Sequence, residues 1–171
     1  MAKDRVERDE EDLVRLYLTD IGQYPLLTKD DEVRLAKAIE GGNAARGDLD
    51  KAGKDLTAAR KRELRRPSKA GEDAQRTFLQ SNLRLVVSLA KPFSKQGLPL
   101  LDLIQEGTIG LVRAVEKFDH RKGFRFSTYA TPLIRQPLAR AGSEKSRTIR
   151  VSAGRLRHPT PPHESAPRPP N

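Results

Sequence analysis

Apolar residues recur at helical spacing near the start of the chain and predict a first helix. Asp12 is a suitable N-cap, and Leu13, Leu16, Tyr17 and Ile21 share one face of a helix that ends at Ile21. The helix is expected to be short, because a glycine and a proline follow it closely.

A second helix is predicted after this interruption at residues 22–25. Thr28, followed by Asp31 three residues later, has the pattern of a capping box and predicts a helix over residues 29–40. The glycines at 41–42 are expected to end it, since glycine is the usual residue just past a helix C-terminus.

Residues 43–66 are rich in alanine, lysine, arginine and glutamate but contain few large apolar side chains. This composition predicts a charged helix that is weakly anchored. Residues 67–71, which begin with Pro67, are interpreted as a linker, and the core is expected to begin near Glu72.

A broad apolar face follows and requires neighbouring helices to cover it. Its members are Phe78, Leu79, Leu83, Val86, Val87, Leu89 and Ala90. Pro92 is expected to stop or kink this helix, because the residue before a proline is displaced from helical geometry. Gln96 and Gly97 end the segment, and Pro99 suits the first turn of the next helix.

The next helix has an inward apolar stripe formed by Leu100, Leu103, Ile104, Leu111, Val115 and Phe118. Gly107 and Gly110 each cost roughly 1 kcal/mol in an exposed helix, so we expect another backbone to approach closely there, from this domain or from a partner. Ser127 is suited to cap a further helix. An interior proline costs about 3 kcal/mol or more, so a straight helix through Pro132 and Pro137 is not expected.

These elements predict an all-α fold: a small helical bundle of four or five helices around one core, with a disordered tail. The tail has six prolines among the 13 residues 159–171 and cannot bury a core. The expected parts are an acidic flexible N-terminus, a helix pair, a charged helix with linker, a core domain and the tail. Their boundaries are 1–11, 12–42, 43–71, 72–151 and 152–171.

Composition excludes several classes of protein. The 171 residues contain no cysteine, which excludes a disulfide framework and a thiolate metal site. No apolar run approaches the roughly 20 residues that span a bilayer, and the acidic N-terminus is unlike a secretory signal, so we expect a soluble, cytoplasmic protein without membrane contact. The three histidines are scattered, and neither a glycine-rich phosphate loop nor a nucleophile elbow occurs. We therefore expect no enzyme, no metal and no other cofactor.

The net charge of +10 is concentrated in one part of the chain. Residues 121–157 contain ten lysine and arginine residues against one acidic residue, Glu144. A polyanionic partner is the natural inference. The alternative is a solvated basic face of the kind that many proteins carry.

Aromatic and cationic residues alternate within this basic region. Phe124, Phe126 and Tyr129 offer flat surfaces on which unpaired bases can stack, while Arg125 lies between the two phenylalanines and suits a phosphate. This combination is typical of proteins that capture single strands and differs from a rigid helix that reads a groove.

Three segments, in order and at matched spacing, resemble the housekeeping-type sigma factors of bacterial RNA polymerase. Residues 12–42 resemble the family's discriminator-binding helix pair, and residues 81–91 resemble the first helix of its second region. Residues 101–136 resemble its polymerase-binding helix and promoter-melting segment. The resemblance implies a sigma factor with regions 1.2 and 2, which binds core RNA polymerase and promoter DNA in transcription initiation.

The resemblance implies a polymerase-binding set in the segment LDLIQEGTIGLV. Matching positions in the family dock on the clamp helices of the largest catalytic subunit, and here they are Asp102, Gln105, Glu106, Thr108 and Val112. The alternative is an ordinary helix with a solvated polar face, which Asp102 and Glu106 also fit.

A DNA-binding set, chiefly for the non-template single strand, is implied in the same way. The set is Arg15, Tyr17, Leu18, Asn82, Phe124, Arg125, Phe126, Thr128, Tyr129, Arg135 and Gln136. The first three match the family's discriminator-contacting face, and Asn82 matches a position that lines a flipped-base pocket. The alternative for Tyr17 and Leu18 is packing between helices.

The remaining members match the segment that opens the minus-ten element. Its four aromatic and hydroxyl residues (124, 126, 128 and 129) match positions that engage extruded bases, whereas Arg125 and Arg135 suit phosphates. Gln136 matches a residue that reads the upstream edge, and glutamine can pair with adenine through two hydrogen bonds. The alternative for Phe126 and Tyr129 is packing in the core.

The chain also departs from the family pattern. Where the family has two adjacent tryptophans that wedge against the first open base pair, this chain has Pro132 and Leu133. Pro137 replaces a small helix-forming residue, and Ala139 replaces a threonine that contacts a base. After Val151 the proline-rich tail stands in place of the third and fourth regions, so a truncated sigma factor is expected.

These departures leave three functions open. The first is a truncated sigma factor that takes part in initiation at promoters. The second is a protein that occupies the polymerase clamp without melting DNA, as a competitor or as an inactive truncated product. The third is a generic basic helical nucleic-acid binder whose likeness to the family is misleading.

Overall fold

A computed structural model describes residues 2–52, 57–95 and 97–145 of the chain, with side chains described for residues 11–51, 57–95 and 97–142. The elements are α1 (Ala2–Gly22), α2 (Lys29–Ala52), α3 (Ala58–Ser94), α4 (Leu100–Glu116), a 3₁₀ helix (His120–Lys122) and α5 (Phe126–Lys145). These described ranges contain no strand, so the predicted all-α fold with five helices is confirmed. The expected disordered tail, residues 152–171, lies outside the described residues.

The predicted capping box begins α2. Thr28 N–H donates to Asp31 Oδ2 at 3.2 Å, and Asp31 N–H donates to Thr28 Oγ1 at 3.2 Å. The Thr28 hydroxyl also donates to Asp31 Oδ2 at 2.7 Å. These bonds, first from the Thr28 side chain and then from its backbone, lower the pKa of the Asp31 carboxyl. The reciprocal pair satisfies free N–H groups at the helix start and fixes it at Lys29.

The first helix begins earlier than the sequence predicted. It starts at Ala2 and not after an N-cap at Asp12, so the predicted start was wrong. The flexibility expected for residues 1–11 stays a prediction. Arginine and glutamate, which make up five of residues 2–11, are good helix formers and favour this extension. The predicted interruption after it is confirmed, since α1 ends at Gly22 and α2 begins at Lys29.

The prediction that α2 ends at residues 41–42 was wrong, because the helix continues to Ala52. Gly42 is buried where α2 crosses α3, and a Cβ on it would lie 2.6 Å from the Cα of Gly71. No side chain fits between two backbones that close. The glycine at 42 therefore permits a close helix crossing and does not terminate the helix.

The expected linker at residues 67–71 is also absent, since α3 runs unbroken from Ala58 to Ser94 through Pro67. Contact with α2 at the Gly42–Gly71 crossing holds this part of α3 in helical form, which overrides the local signal of the proline. Pro92 does not stop α3 where expected, and the helix continues two residues further, to Ser94. The chain then turns through Gly97, which has a left-handed φ of 88°.

The core lies among α3, α4 and α5. Its largest fully buried side chains are Phe78, Phe126, Leu103, Ile104, Leu111, Ile134, Leu138 and Val86. The inward faces predicted for α3 and α4 are confirmed: each of their members is buried or packs partly buried against this cluster. None of the described helices combines the length and apolarity that a membrane span requires.

The glycines of α4 lie where close packing was predicted. A Cβ on Gly110 would overlap the backbone of α5, its nearest atoms being the carbonyl oxygen of Leu133 and, at 2.8 Å, the Cα of Ile134. At Gly107 the nearest atom is a methyl of the Val86 side chain, at 2.7 Å. The expected close approach of another backbone is thus confirmed at Gly110, and a side chain takes that place at Gly107.

The two prolines of α5 lie inside one continuous helix, and the prediction that this helix is not straight stays a prediction. The helix runs from Phe126 to Lys145 through Pro132 and Pro137. Two interior prolines cost about 6 kcal/mol together, and full burial of Phe126, Ile134 and Leu138 returns about 5–9 kcal/mol. Tertiary packing therefore outweighs the local cost.

Candidate nucleic-acid interface

The connection between α4 and α5 orients the aromatic and basic residues that the sequence singled out. Its 3₁₀ helix begins after Asp119, whose carboxylate accepts a hydrogen bond from Arg121 N–H at 3.0 Å. It ends at Gly123, where φ is 73°, a conformation that only glycine adopts without strain. Phe124 follows immediately and its side chain is exposed, at 69%. This ring is available to a ligand.

A carboxylate from α2 caps the first turn of α5. Phe126 N–H donates to Glu32 Oε2 at 3.0 Å, and Arg125 Nε donates to Glu32 Oε1 at 3.1 Å. Arg125 Nη2 also donates to the carbonyl oxygen of Leu27, at 3.3 Å. Glu32 is only 4% exposed. A helix N-terminus presents unpaired N–H groups and partial positive charge, so an anion from another helix is a suitable cap.

Phe126 is fully buried, at 0% exposure, so the prediction that its ring stacks on bases was wrong. It makes edge-on contacts with Phe78 at 4.7 Å and with Phe118 at 5.2 Å between ring centroids. Residues 126, 130 and 134 follow one another at four-residue spacing and face the core together. The packing alternative left open by the sequence is therefore the correct one for this ring.

A pocket of about 450 Å³ lies beside the start of α5. It is lined by residues from the α1–α2 loop, α2, α3 and α5, namely Leu26, Leu27, Glu32, Ser81, Asn82, Arg84, Leu85, Arg125 and Ser127. Asn82 Nδ2 donates to the Phe78 carbonyl oxygen at 2.8 Å. The pocket thus brings Asn82 together with Arg125, two residues that the sequence placed in the DNA-binding set, and supplies amide, carboxylate, guanidinium and hydroxyl groups.

A second cavity, of about 570 Å³, lies between α1 and α3. Its lining residues are Leu18, Ile21, Gly22, Arg84, Val87, Ser88 and Lys91. Arg84 also lines the pocket beside α5, so the two sites share one lining residue. Lys91 adds a second cation to this cavity, which favours an anionic occupant.

The discriminator-contacting residues are arranged unequally on α1. Leu18 lines the second cavity, and Arg15 is exposed to solvent. Tyr17 is partly buried against the core, and this burial raises the pKa of its phenol. Tyr17 thus has a packing role as well as an accessible edge.

The outer face of α5 carries most of the remaining predicted DNA-binding residues. Thr128, Arg135 and Gln136 are exposed, at spacings that place them along one side of the helix. Tyr129 is partly buried, with its ring 6.2 Å from that of Phe118. At the positions of the missing tryptophans, Pro132 is exposed while Leu133 packs against the core.

Each of the five polymerase-binding residues predicted on α4 is at least partly exposed. Asp102 and Gln105 are exposed, while Glu106, Thr108 and Val112 are partly buried. Thr108 Oγ1 donates to the Ile104 carbonyl oxygen at 2.7 Å, within its own helix. Ile109, one turn beyond Gln105, is 49% exposed and was not predicted as part of this surface.

The described side chains include no group of three or more histidines and acids arranged to hold a metal ion.

Two segments of the chain match known families. Residues 78–148 match Sigma-70 region 2, and residues 12–45 match Sigma-70 factor, region 1.2. The chain belongs to the sigma-70 family.

Curated sigma-70 relatives support this assignment. The chain is 54% identical over 140 residues to the RNA polymerase principal sigma factor HrdD of Streptomyces viridifaciens. The aligned residues make up 82% of this chain and 42% of the relative. It is also 54% identical over 149 residues to the RNA polymerase principal sigma factor HrdC of Streptomyces coelicolor. That alignment covers 85% of this chain and 44% of the relative. The chain thus spans less than half the length of these relatives.

The sigma-70 regions meet at the capped helix. Glu32 belongs to the region 1.2 match, whereas Arg125 and Phe126 belong to the region 2 match.

The sequence did not predict a role for Glu32, because a carboxylate in the first turn of α2 is already explained by the dipole of its own helix. Arg84 was missed as well. Its only sequence signal is a cation two residues after Asn82, and the structure shows that its side chain is exposed.

Proposed function

We propose that this chain binds core RNA polymerase and the minus-ten element of promoter DNA, chiefly its non-template strand, and so takes part in transcription initiation. The observation that carries the proposal is the pocket beside the start of α5, which is lined by Asn82, Arg84 and Arg125 together. The family match to regions 1.2 and 2 supports the same assignment.

An extruded base occupies this pocket in our proposal. Its volume of about 450 Å³ lies within the range of small-ligand sites, about 300–1,000 Å³. The amide of Asn82 offers hydrogen bonds to a base edge, and the hydroxyl of Ser127 lies on the same wall. Flipping a base costs a few kcal/mol of stacking, which contacts of this kind offset.

Phosphates and unpaired bases are held around the pocket by exposed cations and rings. Arg125 is bound to Glu32, yet its side chain is 52% exposed and keeps donors free for a phosphate. Phe124 and the accessible edge of Tyr129 provide stacking surfaces, each worth about 1–3 kcal/mol per base. Thr128 lies beside them on the exposed face of α5.

The two ends of the bound segment are assigned to different helices. Arg135 and Gln136, both exposed two turns along α5, contact the upstream edge of the element, Arg135 at a phosphate and Gln136 at an adenine. Arg15 and Leu18 on α1, with the accessible edge of Tyr17, contact the discriminator. The cavity that Leu18 lines shares one lining residue, Arg84, with the base pocket, so the two sites are neighbours on α3.

Core RNA polymerase binds the outer side of α4, against the clamp helices of its largest subunit. Asp102 and Gln105 supply polar contacts, and Glu106, Thr108 and Val112 lie at the edge of the same surface. Ile109 supports the assignment, because an apolar side chain that is 49% exposed gains free energy when a partner covers it.

Binding of the full chain to a labelled minus-ten non-template oligonucleotide, followed by fluorescence anisotropy, tests the DNA assignment. We expect affinity to fall steeply with salt, with a slope set by about three to six phosphates. Asn82→Ala should weaken binding by about tenfold. Thr77→Ala is the matched control, since both side chains donate to the carbonyl four residues earlier on α3. Binding that is independent of salt, or equal losses in the two variants, would contradict the proposal.

Copurification with core RNA polymerase tests the protein partner. The double substitution Gln105→Ala with Ile109→Ala should reduce the recovered polymerase at least fivefold, because it removes a polar and an apolar contact from one surface. Lys37→Ala with Lys95→Ala, which changes exposed side chains outside α4, should leave recovery unchanged. If both doubles behave alike, α4 is not the docking surface.

A second candidate function is a competitor that occupies the polymerase clamp without opening DNA. Pro132 and Leu133 favour it, because they replace the wedge tryptophans of the family and Leu133 is partly turned into the core. The substitutions Pro132→Trp and Leu133→Trp separate the candidates: they should increase promoter opening if the wedge is what the chain lacks. No increase, in a variant that still binds polymerase, would contradict that explanation.

A further inference from the structure

A second concentration of positive charge lies far from α5, in the first half of α3. Residues 60–69 contain six lysine and arginine residues and one acidic residue, Glu63. Glu63 is engaged by Arg60 at 2.8 Å. This segment falls between the two stretches that match the family, residues 12–45 and 78–148, so neither family match accounts for it.

Four of these cations form a row on one side of the helix. These residues, here called the basic row, are Arg62, Arg65, Arg66 and Lys69. Each lies three or four residues from two of the others, and all are exposed. Among the described residues, none of the ion pairs involves a member of the row. Within the described part of the chain, the positive charge of the row is therefore not neutralised by an ion pair.

The basic row works against the helix that carries it. Like charges three or four residues apart on a helix repel each other. The first turn of α3 contains no acidic residue to relieve this. A merely solvated helix face usually mixes both signs of charge, so the arrangement is better explained by an anionic partner that compensates it.

We propose that the basic row binds the phosphate backbone of duplex DNA next to the opened promoter segment, an inference that rests on the proposed promoter binding. Three of its four members are arginine, whose planar fork suits phosphate oxygens. The row spans about 10 Å of helix, and duplex DNA of that length carries about six phosphate charges.

The continuity of α3 supports DNA as the occupant. The helix runs unbroken from the basic row to Asn82 at the base pocket. Sixteen residues separate Arg66 from Asn82, which corresponds to about 24 Å of helix, or about seven base pairs of duplex. One rigid element thus carries both surfaces at a separation that neighbouring duplex can span.

Anisotropy measurements on the full chain with two kinds of DNA test the inference. One is the single-stranded minus-ten oligonucleotide, and the other is the same strand extended by about twelve base pairs of duplex, on either end in turn. The row variant carries Arg62→Gln, Arg66→Gln and Lys69→Gln. The control carries Lys37→Gln, Lys95→Gln and Lys117→Gln, three exposed lysines elsewhere, so that both variants lose the same charge.

We expect the duplex extension, on one of the two ends, to tighten binding of the unmodified chain about tenfold. The row variant should lose this gain, and its salt slope on duplex-extended DNA should fall by about two to three. Its affinity for the single strand should stay within twofold of the unmodified chain. Its unfolding midpoint should be unchanged or higher, because the substitutions remove repulsion, so a failure to fold would not be mistaken for lost binding.

The outcomes separate this inference from the proposed function. If the unmodified chain binds the single strand but gains nothing from either extension, the row does not bind DNA and the proposed function stands. Equal losses in the row variant and the control would overturn the inference too, since they indicate a general charge effect. If the chain binds the extended DNA through the row but shows no salt-dependent binding of the single strand, the proposed function fails while the row is still assigned to duplex.

Discussion

The carboxylate of Glu32 on α2 accepts a hydrogen bond from the backbone N–H of Phe126 at 3.0 Å, across 94 residues of sequence. The same carboxylate holds Arg125, so its two oxygens fix the first turn of α5 from two sides. A residue of region 1.2 thereby positions the helix to which we assign the minus-ten element. The geometry of the proposed DNA-binding surface depends on contact between the two family regions.

Loss of this cap should destabilise the fold. Glu32→Ala leaves the Phe126 N–H buried without a partner, and we expect the free energy of unfolding to fall by about 1–3 kcal/mol in urea denaturation. Glu40→Ala is the matched control, since Glu40 forms an exposed ion pair with Arg121 that is worth at most about 1 kcal/mol. Equal losses in the two variants would show that the buried cap contributes no more than a surface pair.

Two adjacent glycines of α2 should respond in opposite ways to alanine. Gly41 has no atom within 4 Å of its added Cβ, so Gly41→Ala should raise the free energy of unfolding by about 0.5–1 kcal/mol through helix propensity. Gly42→Ala should lower it by about 1–3 kcal/mol, because the new Cβ meets the Gly71 backbone. The same urea titration measures both, and a stabilising Gly42→Ala would refute the close crossing of α2 and α3.

The two phenylalanines on either side of Arg125 should also differ. Phe126→Ala removes a fully buried ring and should cost about 3–5 kcal/mol of stability. Phe124→Ala changes an exposed ring and should leave stability within about 0.5 kcal/mol, yet weaken binding to the minus-ten oligonucleotide by about 1–3 kcal/mol. Urea denaturation and anisotropy, applied to both variants, distinguish the roles. Normal DNA binding by Phe124→Ala would remove that ring from the interface.

Acid should weaken the start of α2. The pKa of Asp31 is lowered from its ordinary value of 3.8 by hydrogen bonds from Thr28, first the side chain and then the backbone. A lowered pKa in the folded state gives stability that is present above 3.8 and is lost as the pH falls through the lowered value. Asp31→Asn should therefore make the free energy of unfolding depend less on pH in this acid range. Urea midpoints at several pH values measure this dependence. Asp30→Asn, outside the capping box, should keep the slope of the unmodified chain.

Local patterns were sufficient to predict much of this fold. The Thr28–Asp31 capping box requires only neighbouring residues, and it set the start of α2 correctly. Apolar spacing identified the buried face of α3, including Phe78 and Val86. Both signals depend on interactions within a single helix or on the simple need to bury one side of it.

Several of the errors arose where another helix decides the outcome. Gly42 has the sequence pattern of a helix end, but it lies where α2 crosses α3 at Gly71. Pro137 has the pattern of a helix breaker, but it lies inside α5. Phe126 alternates with basic residues like a stacking ring, yet the cap from Glu32 turns it inward. No pattern local to these residues reveals such contacts.

Promoter opening with core RNA polymerase tests the central claim most directly. Permanganate modifies unpaired thymines, so it reports whether the minus-ten element is single-stranded in the complex. We predict reactive thymines with the full chain and core polymerase together, none with core polymerase alone, and reduced reactivity with Asn82→Ala. A chain that copurifies with polymerase but leaves every thymine of the element unreactive would contradict the account and favour the competitor.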